Sequence, residues 1–134
     1  MIQNKNPNVI SYSMRLGILY DKIKKDRYAK GNFSRAIAIN PISPEPYFYF
    51  GEFYYKRQLY RPALKYYKKA FEYSSKANYD LCYKLGDIYE KFGDTKTALK
   101  FLNMAALESP NQELDNKIMR IEEYDSINQK YYGK

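Results

Sequence analysis

The sequence predicts an all-α fold of three helix-turn-helix repeats followed by a capping helix. Three observations carry this reading. Small and large apolar residues recur in fixed columns about 34 positions apart. Each repeat divides into two stretches with helical apolar spacing, and an amphipathic segment lies beyond the last repeat.

Gly17, Gly51 and Gly86 are separated by 34 and 35 residues. The same separations relate Leu16, Phe50 and Leu85, then Tyr20, Tyr54 and Tyr89. They also relate Ala29, Ala63 and Ala98, then Phe33, Tyr67 and Leu102, then Ala36, Ala70 and Ala105. Pro41, Ser75 and Pro110 close the repeats, and six of these seven columns keep one size class. The one extra residue falls in "SSKAN", residues 74–78, where a loop absorbs it.

The repeats are taken as about 10–43, 44–77 and 79–112, within a single domain spanning 1–134. In the first half of the third, Cys82, Leu85, Tyr89 and Phe92 fall on one helical face. Gly93 then ends the helix and Asp94 caps the next one. In the second half, Ala98, Leu102 and Ala105 form another stripe, and Pro110 stops it. Short connections make paired helices antiparallel neighbours. A mid-helix glycine costs about 1 kcal/mol against alanine, so three of them in one column must be offset by close packing. The remaining segment, about 111–131, carries Leu114, Ile118, Ile121 and Tyr124 on one face and Lys117, Arg120 and Glu123 on another. It fits a cap over the last apolar face of a repeat array.

This pattern, Leu-Gly-x-x-Tyr, then Ala-x-x-x-Phe/Tyr-x-x-Ala, then Pro, resembles the tetratricopeptide repeat. The third repeat matches best, with Gly86, Tyr89, Gly93, Asp94, Ala98, Ala105 and Pro110. The second has Gln58 and Ser75 where the family favours glycine and proline. The first has Ser13 where the family favours a large aromatic, and Gly31-Asn32 weaken its second helix. The resemblance implies a right-handed α-α superhelix, or solenoid, whose leading helices line a concave groove for an extended peptide or a helix of a partner protein.

Helical geometry places Met14, Ile18, Phe48, Tyr49, Glu52, Tyr55, Tyr83, Lys84 and Asp87 in that groove. Asp21, Lys22, Glu45, Lys56, Asp80, Glu90 and Lys91 lie along its margins. Acids and bases nearly balance, so the floor is apolar and aromatic, as at protein interfaces. The family's grip on chaperone carboxyl tails uses lysines and asparagines. The matching positions here are Met14, Ile18, Tyr49, Asp80 and Lys84, and only Lys84 suits a carboxylate. A chaperone-tail clamp is therefore not expected.

The net charge is +8, and its excess falls on the second helices. Arg61, Lys65, Lys68, Lys69, Lys96 and Lys100 form a candidate basic convex patch for nucleic acid, an anionic membrane or an acidic protein. No RNA-recognition or helix-turn-helix signature supports nucleic acid, and a membrane role would be peripheral. Catalysis finds little footing. Histidine is absent, which removes the commonest general base and metal ligand, and Cys82 lies in a packing stripe. No glycine-rich phosphate loop is present. No catalytic residue, metal site or cofactor is expected. "MIQNKNPNVI" has no apolar signal core, so cytoplasmic is the default location.

The functional expectation is a non-enzymatic adaptor or scaffold that binds a peptide or helix of a partner protein. One alternative is a chaperone for a client that is exported or assembled into a surface or motility structure. The other is attachment through the basic patch. Exposed tyrosines leave homo-oligomers open as well.

Overall fold

Alternating apolar periodicity and three-residue connections fold the chain, seen in a computed structural model, into consecutive helical hairpins. The structure describes residues 7–76 and 78–133. The first six residues of the stretch "MIQNKNPNVI", on which the missing signal core was read, and residue 77 of the junction lie outside them. Seven helices are described: α1 (Pro7–Lys22), α2 (Asp26–Ile39), α3 (Pro44–Lys56), α4 (Tyr60–Tyr73), α5 (Tyr79–Lys91), α6 (Thr95–Glu108) and α7 (Gln112–Tyr132). No strand occurs among the described residues. The repeat is metrical as well as compositional. The second helices α2, α4 and α6 each have 14 residues, and α3 and α5 each have 13. The extra residue of the third repeat falls between α4 and α5, where the loop absorbs it as expected.

Residues up to Ser75 form one compact unit and those from Lys76 a second. In the first unit, α1 packs on α2, α3 on α4, and α3 against both α2 and α1. In the second, α5 packs on α6 and α6 on α7.

The glycine column explains the close approach within each hairpin. A Cβ at Gly17 would stand 2.7 Å from the Phe33 ring, one at Gly51 2.6 Å from Tyr67, and one at Gly86 2.6 Å from Leu102. Each glycine therefore receives the large residue of the partner helix in the same repeat. The nearest atoms at all three sites belong to that side chain, and at Gly86 the Ala98 carbonyl follows at 3.2 Å. The alanines of both columns are buried and separate these large side chains.

The three hairpin turns are alike although their sequences differ. Lys24, Gln58 and Gly93 occupy the same place and all have positive φ, at 62°, 60° and 82°. The next amide reaches back each time to the carbonyl of the conserved-column tyrosine: Lys25 to Tyr20 at 2.8 Å, Leu59 to Tyr54 at 3.0 Å, and Asp94 to Tyr89 at 2.9 Å. Only the third turn has the glycine suited to that conformation. It also has the capping side chain, since Asp94 accepts from the Thr97 amide at 3.1 Å. Gly31-Asn32 do not interrupt α2, which runs continuously through them. Ser13, in its column's aromatic position, is buried, and its hydroxyl finds no hydrogen-bond partner among the described residues.

The core of the first unit is aromatic. Phe33 stacks on Phe50 at 5.4 Å, Phe50 on Tyr66 at 4.3 Å, and Tyr54 on Tyr66 at 5.8 Å. The second unit buries Cys82, Leu85, Ala98, Leu102 and Ala105, with Leu114, Ile118 and Ile121 from α7. Two residues leave the stripes assigned from sequence. Phe92 is exposed at the end of α5, and Tyr124 is 67% exposed on α7. Asn111 caps α7 by accepting from the Leu114 amide at 2.8 Å.

Candidate partner-binding surfaces

In the first unit the candidate groove residues divide between two leading helices. α1 supplies Met14 and Ile18, and α3 supplies Phe48, Tyr49, Glu52 and Tyr55; all six are half-buried. Because residue 51 has no side chain, the buried Tyr67 ring passes beneath α3, and its hydroxyl donates to the Glu52 carboxylate. Phe48 and Tyr55 both pack against that ring, at 5.9 and 6.2 Å between centroids. Tyr49 packs edge-on to Phe48 at 5.3 Å, and Tyr49 and Ile18 both rest on the cluster around Phe33 and Phe50. The aromatic face is thus supported from below by core side chains, which restricts its rotamers before any ligand arrives.

Asp21 and Lys56, placed at the groove margins by the helical wheel, are bound to one another. Asp21 is buried and accepts from Lys56 Nζ at 2.5 Å. Arg57 lies 2.9 Å from Asp21 and 2.7 Å from Asp26, and its guanidinium sits 3.7 Å above the Phe53 ring. The Arg57 hydrogen bond holds the Asp26 carboxyl below the usual carboxylate range, against the opposing effect of desolvation. This network joins the first hairpin to the second. Arg57 is the residue that spans it. Its partners lie 31 and 36 positions away, and nothing local marks the pairing.

In the second unit, Tyr83 stacks on Tyr79 at 5.9 Å, and Tyr83 and Lys84 line a crevice with Asn111 and Lys117. Asp87 is buried rather than open to a ligand. It lies 3.7 Å from Lys91 and 3.5 Å from Lys117, which also reaches Glu90 at 2.9 Å. Lys117 therefore ties α7 to α5 instead of facing solvent. Its burial disfavours the charge, but the hydrogen bond and charge of Glu90, with Tyr83 and Asp87, outweigh this and raise its pKa above the ordinary lysine value.

Arg61, Lys65, Lys68 and Lys69 share one face of α4 with Leu64. Lys65 lies over Tyr66 at 5.4 Å, and Lys69 lies over Tyr73 at 5.8 Å while also approaching Glu72 at 3.7 Å. Lys96 and Lys100 are exposed on α6 of the second unit, Lys100 over Phe101 at 5.7 Å. Cys82 is fully buried, and burial pushes its thiol up from the ordinary value. No group of three His, Cys, Asp or Glu side chains arranged to hold a metal occurs among the described residues.

Comparison with known proteins identifies the fold. The TPR protein YrrB, which has an unusual peptide-binding site, superimposes with a TM-score of 0.78 over 88% of this chain and 61% of its own, at 20% identity. The chain has the fold of tetratricopeptide-repeat proteins. No protein-family profile matches it. The first tetratricopeptide domain of Spaghetti (RPAP3), bound to the HSP90 peptide SRMEEVD, gives a TM-score of 0.77 at 15% identity, over 90% of this chain and 96% of that one. The N-terminal domain of stress-induced protein-1 from C. elegans gives 0.75 at 20% identity, over 86% and 95%. In sequence, a tetratricopeptide-repeat protein of Methanocaldococcus jannaschii, MJ1428, is 29% identical over 85 residues. That match takes in 58% of this chain and 15% of the curated relative. No helix among the described residues is long and apolar enough to cross a membrane.

Proposed function

We propose that this chain is an adaptor that holds an extended segment or a helix of a partner protein against the leading helices of its first unit. The observation that carries this reading is the Tyr67 pedestal. A buried ring threaded under Gly51 supports Phe48 and Tyr55 and bonds Glu52, so an apolar face with one oriented acceptor is held ready. Affinity would come from desolvating two or three apolar anchors of the ligand on Phe48, Tyr49 and Tyr55. The fold's use in peptide-binding relatives supports the reading. A role as chaperone for an exported or assembled client would use the same face.

The ligand we propose differs from the SRMEEVD tail held by RPAP3. The positions that would grip such a tail are Met14, Ile18, Tyr49, Asp80 and Lys84, and Asp80 is an exposed acid. Peptides selected from a random display library on the native chain test this. Apolar-anchored sequences should emerge, and Phe48→Ala with Tyr49→Ala should weaken them at least about tenfold. Selection of acidic carboxyl tails would refute the proposal.

A second reading rests on α4, where Arg61, Lys65, Lys68 and Lys69 lie on one face. Attachment to an anionic partner there would be abolished by Lys65→Glu, Lys68→Glu and Lys69→Glu together, and would fall steeply with salt.

A further inference from the structure

α7 is longer than the helices that precede it. Its 21 residues extend about 32 Å, against about 21 Å for the 14 residues of α6. Its last buried residue is Ile121, and none from 122 to 133 is buried. On this free end Tyr124, Ile127 and Tyr131 are 67%, 49% and 67% exposed. They follow one another at three and four residues, and Arg120 precedes them on the same line. This line runs roughly 100° around the helix from Leu114, Ile118 and Ile121, so it is a separate stripe and not a frayed continuation of the packed one.

The spacing is that of a coiled-coil seam, with Tyr124, Ile127 and Tyr131 at core positions. Glu123 and Lys130 then occupy the same flanking position one heptad apart. Charges at such flanks set orientation. In an antiparallel pair of identical helices, this flank of one copy faces the same flank of the other in reverse order. Glu123 then meets Lys130 of the second copy, and the contact occurs twice. A parallel pair offers Glu123 no lysine. In the antiparallel register that sets Tyr124 against Ile127 of the second copy, Tyr131 falls beside Arg120 of that copy, a favourable guanidinium–aromatic contact. Lys130 already lies 5.4 Å from the Tyr131 ring within its own helix, which keeps its charge at the seam.

We propose that the free end of α7 is a self-association surface that pairs antiparallel with α7 of a second copy about a two-fold axis. The contact is isologous and closes on itself, so it yields dimers and not filaments. The seam is short, and the dimer is weak and concentration-dependent.

Sedimentation velocity of the full chain over a concentration series tests the proposal, with circular dichroism to confirm that each variant is folded. Ile127 and Lys130 are exposed, so their substitution leaves the hairpins intact. The native chain should show a monomer–dimer equilibrium. Ile127→Asp should raise the dissociation constant more than about tenfold. Lys130→Glu should weaken pairing, and adding Glu123→Lys to it should restore pairing. A chain that stays monomeric up to about 1 mM, where pairing energy is negligible for function, overturns the proposal. So does a dimer indifferent to Ile127→Asp, which would use another surface, and so does a failed charge exchange, which would exclude the antiparallel order. If the chain is monomeric while a different protein binds Tyr124 and Tyr131, the second copy is the wrong occupant.

Discussion

Gly51 and Gly31 are both helical glycines, yet substitution should act on them in opposite directions. A methyl group at Gly51 would press on the buried Tyr67 ring at 2.6 Å, whereas nothing lies within 4 Å of one at Gly31. Gly51→Ala should therefore cost roughly 1–3 kcal/mol through overpacking. Gly31→Ala should gain roughly 0.5–1 kcal/mol through helix propensity. Urea denaturation of both variants measures the difference. The turn residues allow a second expectation. Lys24 and Gln58 hold positive φ without being glycine. Lys24→Gly and Gln58→Gly should each raise stability by roughly 1 kcal/mol, because the left-handed conformation disfavours a Cβ. Unchanged or lower denaturation midpoints would contradict this. The glycine and alanine columns were legible in sequence because each meets the same neighbour in every repeat, so selection for fit leaves one size class per column. The left-handed turns at Lys24 and Gln58 were not legible. Their conformation is imposed by the flanking helices, and neither side chain advertises it.

Among the elements, α7 shows what periodicity can and cannot resolve. Its stripe of Leu114, Ile118 and Ile121 was readable and is buried; Tyr124 was placed with that stripe but lies off it, on the exposed line with Ile127 and Tyr131. Lys117 was read only as part of the charged face of α7, because its partners Asp87 and Glu90 are about thirty positions distant and on another helix. That attachment has a definite pH dependence. The folded pKa of Lys117 is raised above 10.5, so its contribution is fully present below that value and is lost as pH rises through the folded pKa. The stability difference between the native chain and Lys117→Gln should hold constant through neutral pH. On the alkaline side it should shrink only above about 10.5. Equilibrium denaturation at a series of pH values checks this, and a difference that shrinks already between pH 6 and 9 would mean that another group carries the effect.

At the scale of the whole molecule, the repeat fixes which helices lead and which follow, and this determines which side chains can face a ligand. That much was legible from 34-residue periodicity. The state of individual groove residues was less so. Asp21 and Asp87 were placed with the ligand-facing acids, yet both are buried and ion-paired, since helical wheels record direction and not the reach of a lysine or arginine from the next helix. The residues that remain open to a partner in the first unit are chiefly apolar and aromatic, with Glu52 oriented by Tyr67. The most direct measurement uses a photo-crosslinking amino acid in place of Tyr49, and in a second protein in place of Lys68, each expressed in the native cell. Covalent capture of one defined partner segment from position 49, lost on adding Phe48→Ala and absent from position 68, is the expected result. Capture from position 68 alone would contradict the account and transfer the binding site to the basic face of α4.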